Sequence, residues 1–142
     1  MDNTRVMIYT DGACKMHSTR AGGWGAILIS GKHRLEISGR EEETTNNRME
    51  LTAVLEALRA LTERCSVVIT SDSQYVVRGT GWAKNWQQRG WLTSEKKPVK
   101  NQDLWEQLLE LIQKHDVMFS WVRGHDGHPE NERADVLATG AI

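Results

Sequence analysis

The sequence predicts an α/β fold in which a mixed five-stranded sheet, three antiparallel strands followed by two parallel ones, carries helices on both faces. Three apolar runs of strand length follow one another near the amino terminus. Further along the chain, apolar runs of strand length alternate with apolar residues at helical spacing. Sequential strands joined by short turns pair antiparallel, whereas strands joined through helices pair parallel. The predicted element order is βββαβααβα, without an internal repeat.

The first three strands are predicted at residues 6–11, 24–30 and 34–38. β-Branched and aromatic residues fill the first of them, which ends at Asp11 before a turn that contains glycine. The connection between the second and third strands, residues 31–33, has the length of a hairpin loop. These three strands therefore form an antiparallel meander.

A long amphipathic helix is predicted at residues 47–64, because apolar side chains recur there at helical spacing. They are Leu51, Val54, Leu55, Leu58 and Leu61. The apolar run 67–70 has the composition of a central strand that is covered on both faces, and Asp72 lies just beyond it. Functional groups gather where such strands end, and both Asp11 and Asp72 are at such places.

The second half of the chain predicts helices around one further strand. Residues 74–78 and 82–88 are two short helices interrupted by Gly79 and Gly81, and Gly90 ends the second. An amphipathic helix follows, with a last strand at 117–122 and a last helix from about 130 to 138. The apolar face of the amphipathic helix consists of Leu104, Trp105, Leu108, Leu111 and Ile112.

Length and composition indicate one globular, cytosolic domain. The chain has 142 residues, of which 39% are apolar and 26% are charged. No apolar run approaches the roughly 20 residues that span a bilayer, and the amino terminus lacks the pattern of a secretory signal. Cys14 and Cys65 lie far apart and form no CxxC pair, so neither a disulfide framework nor a structural zinc site is indicated.

The net charge of −1 conceals an uneven distribution along the chain. Residues 78–100 contain six bases and one acid, whereas residues 101–142 contain three bases and eight acids. The net charge argues against a generally basic nucleic-acid binder, but the basic stretch could still contact phosphates.

Three acidic residues have ordinary structural explanations when each is considered alone. Asp11 could be a turn residue, and Asp72 could cap the helix that begins near Gln74. Glu50 follows Asn47 by three residues, which is the spacing of a capping box. Residues 44–50 are nevertheless rich in side-chain donors and acceptors at a helix start, where phosphate oxygens are also favoured.

The polar, glycine-flanked loop 124–133 contains His125 and His128 and precedes a helix that carries Asp135. A zinc site with paired histidines is the alternative interpretation of this loop. It would need two further nitrogen or sulfur ligands, and the cysteines do not have the spacing that would supply them.

Five segments taken together resemble the ribonuclease H type 1 family, and most closely its bacterial ribonuclease HI form, over nearly the whole chain. The matching segments are Tyr9-Thr10-Asp11-Gly12, Thr44-Thr45-Asn46-Asn47-Arg48-Met49-Glu50-Leu51, Ser71-Asp72-Ser73-Gln74-Tyr75, Lys96-Lys97-Pro98-Val99-Lys100-Asn101, and Trp121-Val122-Arg123-Gly124-His125 through Glu132-Arg133-Ala134-Asp135. The resemblance implies a single ribonuclease H domain over residues 1–142, with the ribonuclease H-like fold.

The resemblance also implies an endonuclease that cuts the RNA strand of RNA/DNA hybrids. Two Mg²⁺ ions, or Mn²⁺ in their place, would be held by the four acids, and products would carry 5′-phosphate and 3′-hydroxyl ends. Hard divalent cations prefer carboxylate oxygens, which independently suits this assignment. His125 would assist proton transfer or product departure, because imidazole titrates near neutral pH. The four acids are Asp11, Glu50, Asp72 and Asp135.

Hybrid binding is expected from residues that match family positions. Gly12, Asn46, Asn47 and Gln74 match contacts to the hybrid, and Thr45 matches a contact to a DNA phosphate. A basic protrusion resembles the one that family members place against substrate, and within it Trp82 and Trp86, four residues apart, could instead be packing on one helix face. The protrusion's candidate contacts are Trp82, Lys84, Trp86, Trp91, Lys96, Lys97 and Lys100.

Two departures from the family leave other functions open. Residues 15–21 replace a shorter loop that usually supplies an asparagine contact to RNA, and Gln87, Gln88 and Leu92 stand where bacterial relatives often carry more lysines. The alternatives are a hybrid-binding module without catalysis and a related nuclease or integrase that acts on DNA alone. The expected protein is a cytoplasmic monomer with no obligate protein partner and no membrane attachment.

Overall fold

The computed structural model describes residues 5–15, 20–124 and 127–142. Their helices and strands follow the predicted order. The elements are β1 (Arg5–Cys14), β2 (Gly22–Ser30), β3 (His33–Glu41), α1 (Asn46–Arg59), β4 (Ser66–Ser71), α2 (Gln74–Gln88), α3 (Gln102–Gln113), β5 (Asp116–Trp121) and α4 (Pro129–Ala141).

One five-stranded sheet has the strand order β3-β2-β1-β4-β5. β1 lies at its centre, antiparallel to β2 and parallel to β4, while β3 pairs antiparallel with β2 and β5 pairs parallel with β4. The predicted mixed sheet is therefore confirmed. β4 and β5 each follow helices, which is the connection that parallel pairing needs.

The helices divide between the two faces of the sheet. Alternate strand residues point to opposite faces, so Ile8 of β1 and Val67 of β4 join the core beneath α1, α2 and α3. On the opposite face α4 lies close to β2, because Gly23 and Gly25 leave room for its backbone: a Cβ added to Gly25 would lie 2.6 Å from the Cβ of Leu137. The fold prediction of helices on both faces holds.

Several predicted boundaries differ from those of the structure, and two of the differences have a clear cause. β1 continues three residues beyond Asp11, because residues 11–14 still pair with β2 even though pairing with β4 has ended. α1 ends at Arg59 rather than residue 64, since β4 begins at Ser66 and the chain needs several residues to turn back toward the sheet. No helix among the described residues combines the length and the apolar character that crossing a bilayer requires.

α2 is one continuous helix, and the prediction of two short helices broken at Gly79 and Gly81 was wrong. Gly79 is buried against the ring of Trp105, and a Cβ added there would lie 2.3 Å from Trp105 Cη2. Gly81 has open space around its Cα. A glycine destabilises a helix by only about 1 kcal/mol, and the packing of α2 on α3 outweighs that cost.

The two glycines of α2 give a matched test of this packing. Gly79→Ala should lower the free energy of unfolding by about 1–3 kcal/mol, because the new methyl group must displace the buried indole of Trp105. Gly81→Ala should raise it by about 0.5–1 kcal/mol, since alanine is the better helix former and meets no neighbour. Urea unfolding of both variants measures the difference; equal effects would contradict the assigned packing.

Candidate active site

The register of two parallel strands brings Asp11 and Asp72 together. Pairing between β1 and β4 ends with Thr10 opposite Ser71. Asp11 directly follows Thr10, and Asp72 directly follows Ser71. Because parallel strands end at the same edge of the sheet, their side chains meet there.

Gly12 allows Glu50 to join the two aspartates. A Cβ added to Gly12 would lie 2.4 Å from the backbone nitrogen of Glu50, so only glycine lets α1 approach β1 this closely. One carboxylate oxygen from each of Asp11, Glu50 and Asp72 lies within 4.8 Å of the others. Three of the four predicted acids thus form one cluster.

Asp135 reaches the same cluster from the opposite face of the sheet. Gly25, the β2 partner of Asp11, lies beneath α4, and a Cβ there would stand 2.8 Å from the carbonyl oxygen of Ala134. The carboxyl group of Asp135 lies close enough to Asp11 to raise the pKa of Asp11. The amide of Gly12 donates a further hydrogen bond of 2.9 Å to Asp11 Oδ1.

The capping roles considered for Glu50 and Asp72 belong to other residues. α1 begins at Asn46 and its N-cap is Thr45, whose hydroxyl accepts from the amide of Arg48 at 3.2 Å, so the predicted capping box from Asn47 to Glu50 is absent. α2 is capped by Ser73, whose hydroxyl accepts from the amide of Val76 at 3.2 Å. Helix capping therefore does not account for either acid.

Burial makes negative charge costly in this cluster. It raises the pKa of Asp11 from 3.8 to about 8, with added contributions from the charge of Asp72 and from the hydrogen bond and charge of Asp135. Burial, followed by the charges of Asp11 and Asp72, also raises the pKa of Glu50 well above its ordinary value. Glu50 Oε1 is buried and has no hydrogen-bond partner among the described residues. A bound cation would offset the repulsion between the carboxylates. It would also give Glu50 Oε1 a partner.

The predicted substrate contacts near α1 surround a single cavity. Thr45, Asn46 and Asn47 are exposed at the start of the helix, and the cavity they line measures about 520 Å³. Lys15 and Arg20, the described ends of the atypical loop, line it too. Gln74 is exposed at the start of α2, beside Arg78 and Trp121 in a smaller cleft.

The basic protrusion contains packed tryptophans and exposed lysines. Trp86 is half-buried, with ring centroids 5.7 Å from Trp105 and 6.1 Å from Trp82, so its packing role is evident. Trp82 is 50% exposed, and Trp91 is buried. The four lysines predicted to bind the hybrid are all exposed; they are Lys84, Lys96, Lys97 and Lys100.

His125 lies outside the described residues, so its predicted role stays a prediction. Its neighbour Gly124 is close to the acid cluster, since a Cβ there would lie 2.7 Å from Asp72 Oδ2. Sequence reasoning assigned no role to Arg48, which forms an ion pair with Asp103 at 2.7 Å. No local pattern indicates a pair of residues that lie 55 positions apart.

The fold and the four converging acids define a class, the ribonuclease H-like proteins with an acidic centre. The ribonuclease H family model matches residues 3–142. Ribonuclease H of Cupriavidus pinatubonensis is 56% identical over 138 residues, which cover 96% of this chain and 94% of that protein. The chain belongs to the ribonuclease H family, as its sequence predicts.

Two further comparisons agree with this assignment. Ribonuclease HI of Neisseria meningitidis serogroup B is 54% identical over 137 residues, which cover 96% of this chain and 94% of that protein. The crystal structure of LC9-RNase H1, a type 1 RNase H with the type 2 active-site motif, superposes with a TM-score of 0.89 at 35% identity, covering 99% of this chain and 73% of that chain.

The electrostatics of the cluster predict how stability depends on pH without metal. Because folding raises the pKa of Asp11 from 3.8 to about 8, the folded state binds more protons in this window, and stability falls as pH rises through it. In chelator, Asp11→Asn should melt roughly 5–10 °C above the parent at pH 8.5, and this gap should shrink toward pH 4.

Glu36 provides a control of opposite sign for those melts. Hydrogen bonds from Arg133 and Arg34 lower its pKa to about 2, so this carboxylate stabilises the fold above its unfolded pKa. Glu36→Gln should therefore melt no higher than the parent at any pH. An Asp11→Asn variant that melts well below the parent at pH 8.5 would instead assign Asp11 a structural role.

Proposed function

We propose that this chain hydrolyses the RNA strand of RNA/DNA hybrids, using two metal ions and leaving 5′-phosphate and 3′-hydroxyl ends. The observation that carries the proposal is the convergence of Asp11, Glu50 and Asp72, each of which has a carboxylate oxygen within 4.8 Å of the others, with Asp135 close enough to raise the pKa of Asp11. Membership of the ribonuclease H family supplies the class of substrate.

The donor set suits Mg²⁺, with Mn²⁺ as a substitute. Hard cations take carboxylate oxygens, and a bound pair would supply an activated water and stabilise charge on the attacking and leaving oxygens. The protein's own contribution is to hold the four carboxylates in place: Gly12 orients Asp11 through its amide, and α4 brings Asp135 to it. His125 would move a proton or aid product departure.

Hybrid recognition is proposed for two surfaces, one around the starts of α1 and α2 and the other on the basic protrusion. Gly12, Asn46, Asn47 and Gln74 would contact the strands where 2′-hydroxyl groups distinguish RNA from DNA, and Thr45 would contact a DNA phosphate. The protrusion would hold phosphates without regard to sequence, with Trp82 as its exposed ring. Its lysines are Lys84, Lys96, Lys97 and Lys100.

Two observations, one for each, argue against the alternative functions. A binding module without catalysis has no need to bury carboxylates whose proton affinity is raised, and this chain retains all four. A nuclease for DNA alone is disfavoured by the polar start of α1. We also propose a monomer that works in the cytoplasm without an obligate partner, since one chain supplies every member of the cluster.

Cleavage of labelled duplexes tests this function directly. With Mg²⁺ or Mn²⁺, the RNA strand of a hybrid should shorten to products with 5′-phosphate and 3′-hydroxyl ends, whereas double-stranded RNA and double-stranded DNA should stay intact. Chelator should stop cleavage, and Asp11→Asn should lower the rate at least about 10³-fold, because it removes a ligand at the centre of the cluster.

Mg²⁺ should also raise the melting temperature of the parent more than that of Asp11→Asn, because the ion binds the folded state. Binding of the hybrid without strand shortening would favour the module. Shortening of duplex DNA would favour the DNA nuclease.

The small basic protrusion predicts a modest salt dependence of binding. Log affinity for a hybrid, measured with Asp11→Asn to prevent cleavage, should fall with log salt by a slope of only a few. Lys97→Ala should reduce that slope by about one, because one phosphate contact is lost. Lys114→Ala is the control, because that exposed lysine lies at the carboxyl-terminal end of α3, whereas Lys97 precedes the amino-terminal end of that helix. An affinity that does not depend on salt would contradict the prediction.

A further inference from the structure

Two charged side chains of β3, an edge strand of the sheet, face the first turns of α4. Arg34 and Glu36 lie two residues apart on the strand, so they project from the same face of the sheet. Arg34 donates to Glu130 at 2.8 Å and to Glu36 at 2.9 Å. Glu36 also accepts from Arg133, at 3.0 Å on one carboxylate oxygen and at 2.9 Å on the other. The four side chains form one connected set, the β3–α4 network.

The β3–α4 network fixes the direction of its side chains as well as their separation. Arg133 uses Nε and Nη2 on the two oxygens of Glu36, a paired geometry that aligns the guanidinium with the carboxylate. Arg34 bridges two carboxylates, with Nη1 on Glu130 and Nη2 on Glu36. All four side chains stay partly exposed, so their ion pairs contribute little to the free energy of unfolding. Stability alone therefore does not account for the network.

The amino-terminal half of α4 has little else among the described residues to fix its orientation. Its N-cap, His128, makes no side-chain capping hydrogen bond. The buried residues of the helix are Asn131, Ala134 and Ala138, and Oδ1 of Asn131 has no hydrogen-bond partner in the described part of the chain. A buried methyl group makes few contacts, so the alanines set the distance of the helix from the sheet but oppose its rotation only weakly.

Arg133 and Asp135 lie on opposite flanks of one helical turn. Ala134 lies between them, and its carbonyl oxygen would be 2.8 Å from a Cβ added to Gly25, so the helix rests on β2 at this point. Residues two apart in an α-helix are separated by about 200° around its axis. One flank thus faces β3, and the other brings Asp135 to Asp11, the strand partner of Gly25. Rotation of α4 about the Gly25 contact would move Asp135 relative to Asp11.

We propose that the β3–α4 network is a positioning device that fixes the rotation of α4 on the sheet and so holds Asp135 in place as a ligand of the metal ions. The other three acids are carried by β1, by α1 and by the residue after β4, so Asp135 is the one whose place depends on α4. The inference deepens the proposed function and rests on it, because the placement of Asp135 matters only where a cation is bound.

Loss of the network should weaken metal binding more than it slows the metal-loaded protein. Interactions that orient a ligand without touching the ion typically change metal affinity or activity about 10–100-fold when they are removed. A bound cation itself attracts the carboxylate of Asp135, so a high metal concentration restores the orientation that the network otherwise supplies. Affinity for the hybrid should not change, because the proposed hybrid contacts lie outside β3 and α4.

The opposite charges within the network separate positioning from a simple electrostatic effect. Glu36→Ala removes a negative charge, which through the electrostatic field alone would lower the affinity of the cluster for Mg²⁺. Arg34→Ala removes a positive charge, which through the field alone would raise that affinity. Positioning requires that both variants lower it. Arg34→Lys keeps the charge but loses the planar fork that bridges two carboxylates, so it should lower the affinity by a smaller factor.

Arg40 supplies a matched control on the same strand. It projects from the same face of β3 as Arg34, six residues further along. Its guanidinium contacts Glu42 and donates to the main-chain oxygen of Ile142 at 3.2 Å, just beyond the carboxyl-terminal end of α4. Arg40→Ala thus removes an arginine contact between β3 and the region of α4 away from Asp135. It changes the net charge as Arg34→Ala does.

Mg²⁺ binding without substrate, cleavage rates over a range of Mg²⁺ concentrations, and hybrid affinity without divalent ions provide the test. Calorimetry and the rise in melting temperature report Mg²⁺ binding. Glu36→Ala and Arg34→Ala should each raise the Kd for Mg²⁺, and the Mg²⁺ concentration for half-maximal rate, about tenfold. Their kcat at saturating Mg²⁺ and their Kd for the hybrid should stay within about twofold of the parent, and their melting temperatures in chelator within about 3 °C. Arg40→Ala should match the parent throughout.

Three outcomes would overturn the proposal while leaving the proposed function standing. One is a Glu36→Ala or Arg34→Ala variant with the Mg²⁺ affinity of the parent. The second is a shift of opposite sign in these two variants, which would reduce the effect to charge alone. The third is an equal loss in Arg40→Ala or a large fall in melting temperature in chelator, either of which would make the network part of the general packing of α4. A parent that binds Mg²⁺ but cuts no hybrid would instead overturn the proposed function, and the Mg²⁺ affinities would still test the network.

Discussion

The mutual repulsion of buried carboxylates is the constraint on which this structure depends. Asp11, Glu50 and Asp72 approach one another in a site of restricted solvation, where like charges interact far more strongly than in water. Carboxylates that repel one another stay together only where the surrounding structure holds them in place. In this protein the acids are held by the hydrogen-bonded register of β1 with β4 and by the close packing of helices at Gly12 and Gly25. The acids have no freedom to move apart because the sheet and both helices are fixed elsewhere.

Positions far from the acids supply this rigidity. α1 buries an apolar face along its whole length, mainly against β1 and β2, so its first turn cannot retreat from Gly12. α4 lacks a comparable apolar stripe, and its amino-terminal end is held instead by ion pairs of Arg34 with Glu130 and of Arg133 with Glu36. Exposed pairs contribute little to stability singly, but a connected set restricts direction. The two helices that flank the cluster are thus held by different interactions.

The sequence alone predicted the sheet, the element order and the acids, because strand and helix periodicities are local and the family motifs are contiguous. It misassigned the cap of α1, since Thr45 and Asn47 are both competent caps and only the backbone decides between them. It also broke α2 at Gly79, where a glycine that serves tertiary packing looks like a helix breaker. The link from Arg48 to Asp103 and Asn101 could not be predicted, because no local pattern encodes partners more than 50 positions apart.

The charge distribution suits a division of the proposed function, with binding and cleavage of the strand assigned to separate parts of the molecule. A nucleic-acid backbone is a polyanion, so a metal-free cluster of carboxylates repels the strand that it must cut. The lysines proposed to attract the strand lie on other elements than the acids: Lys84 is in α2, and Lys96, Lys97 and Lys100 are in the hairpin that follows it. Separation creates a need for a rigid connection, because attraction at one place is useful only if the strand then reaches the other.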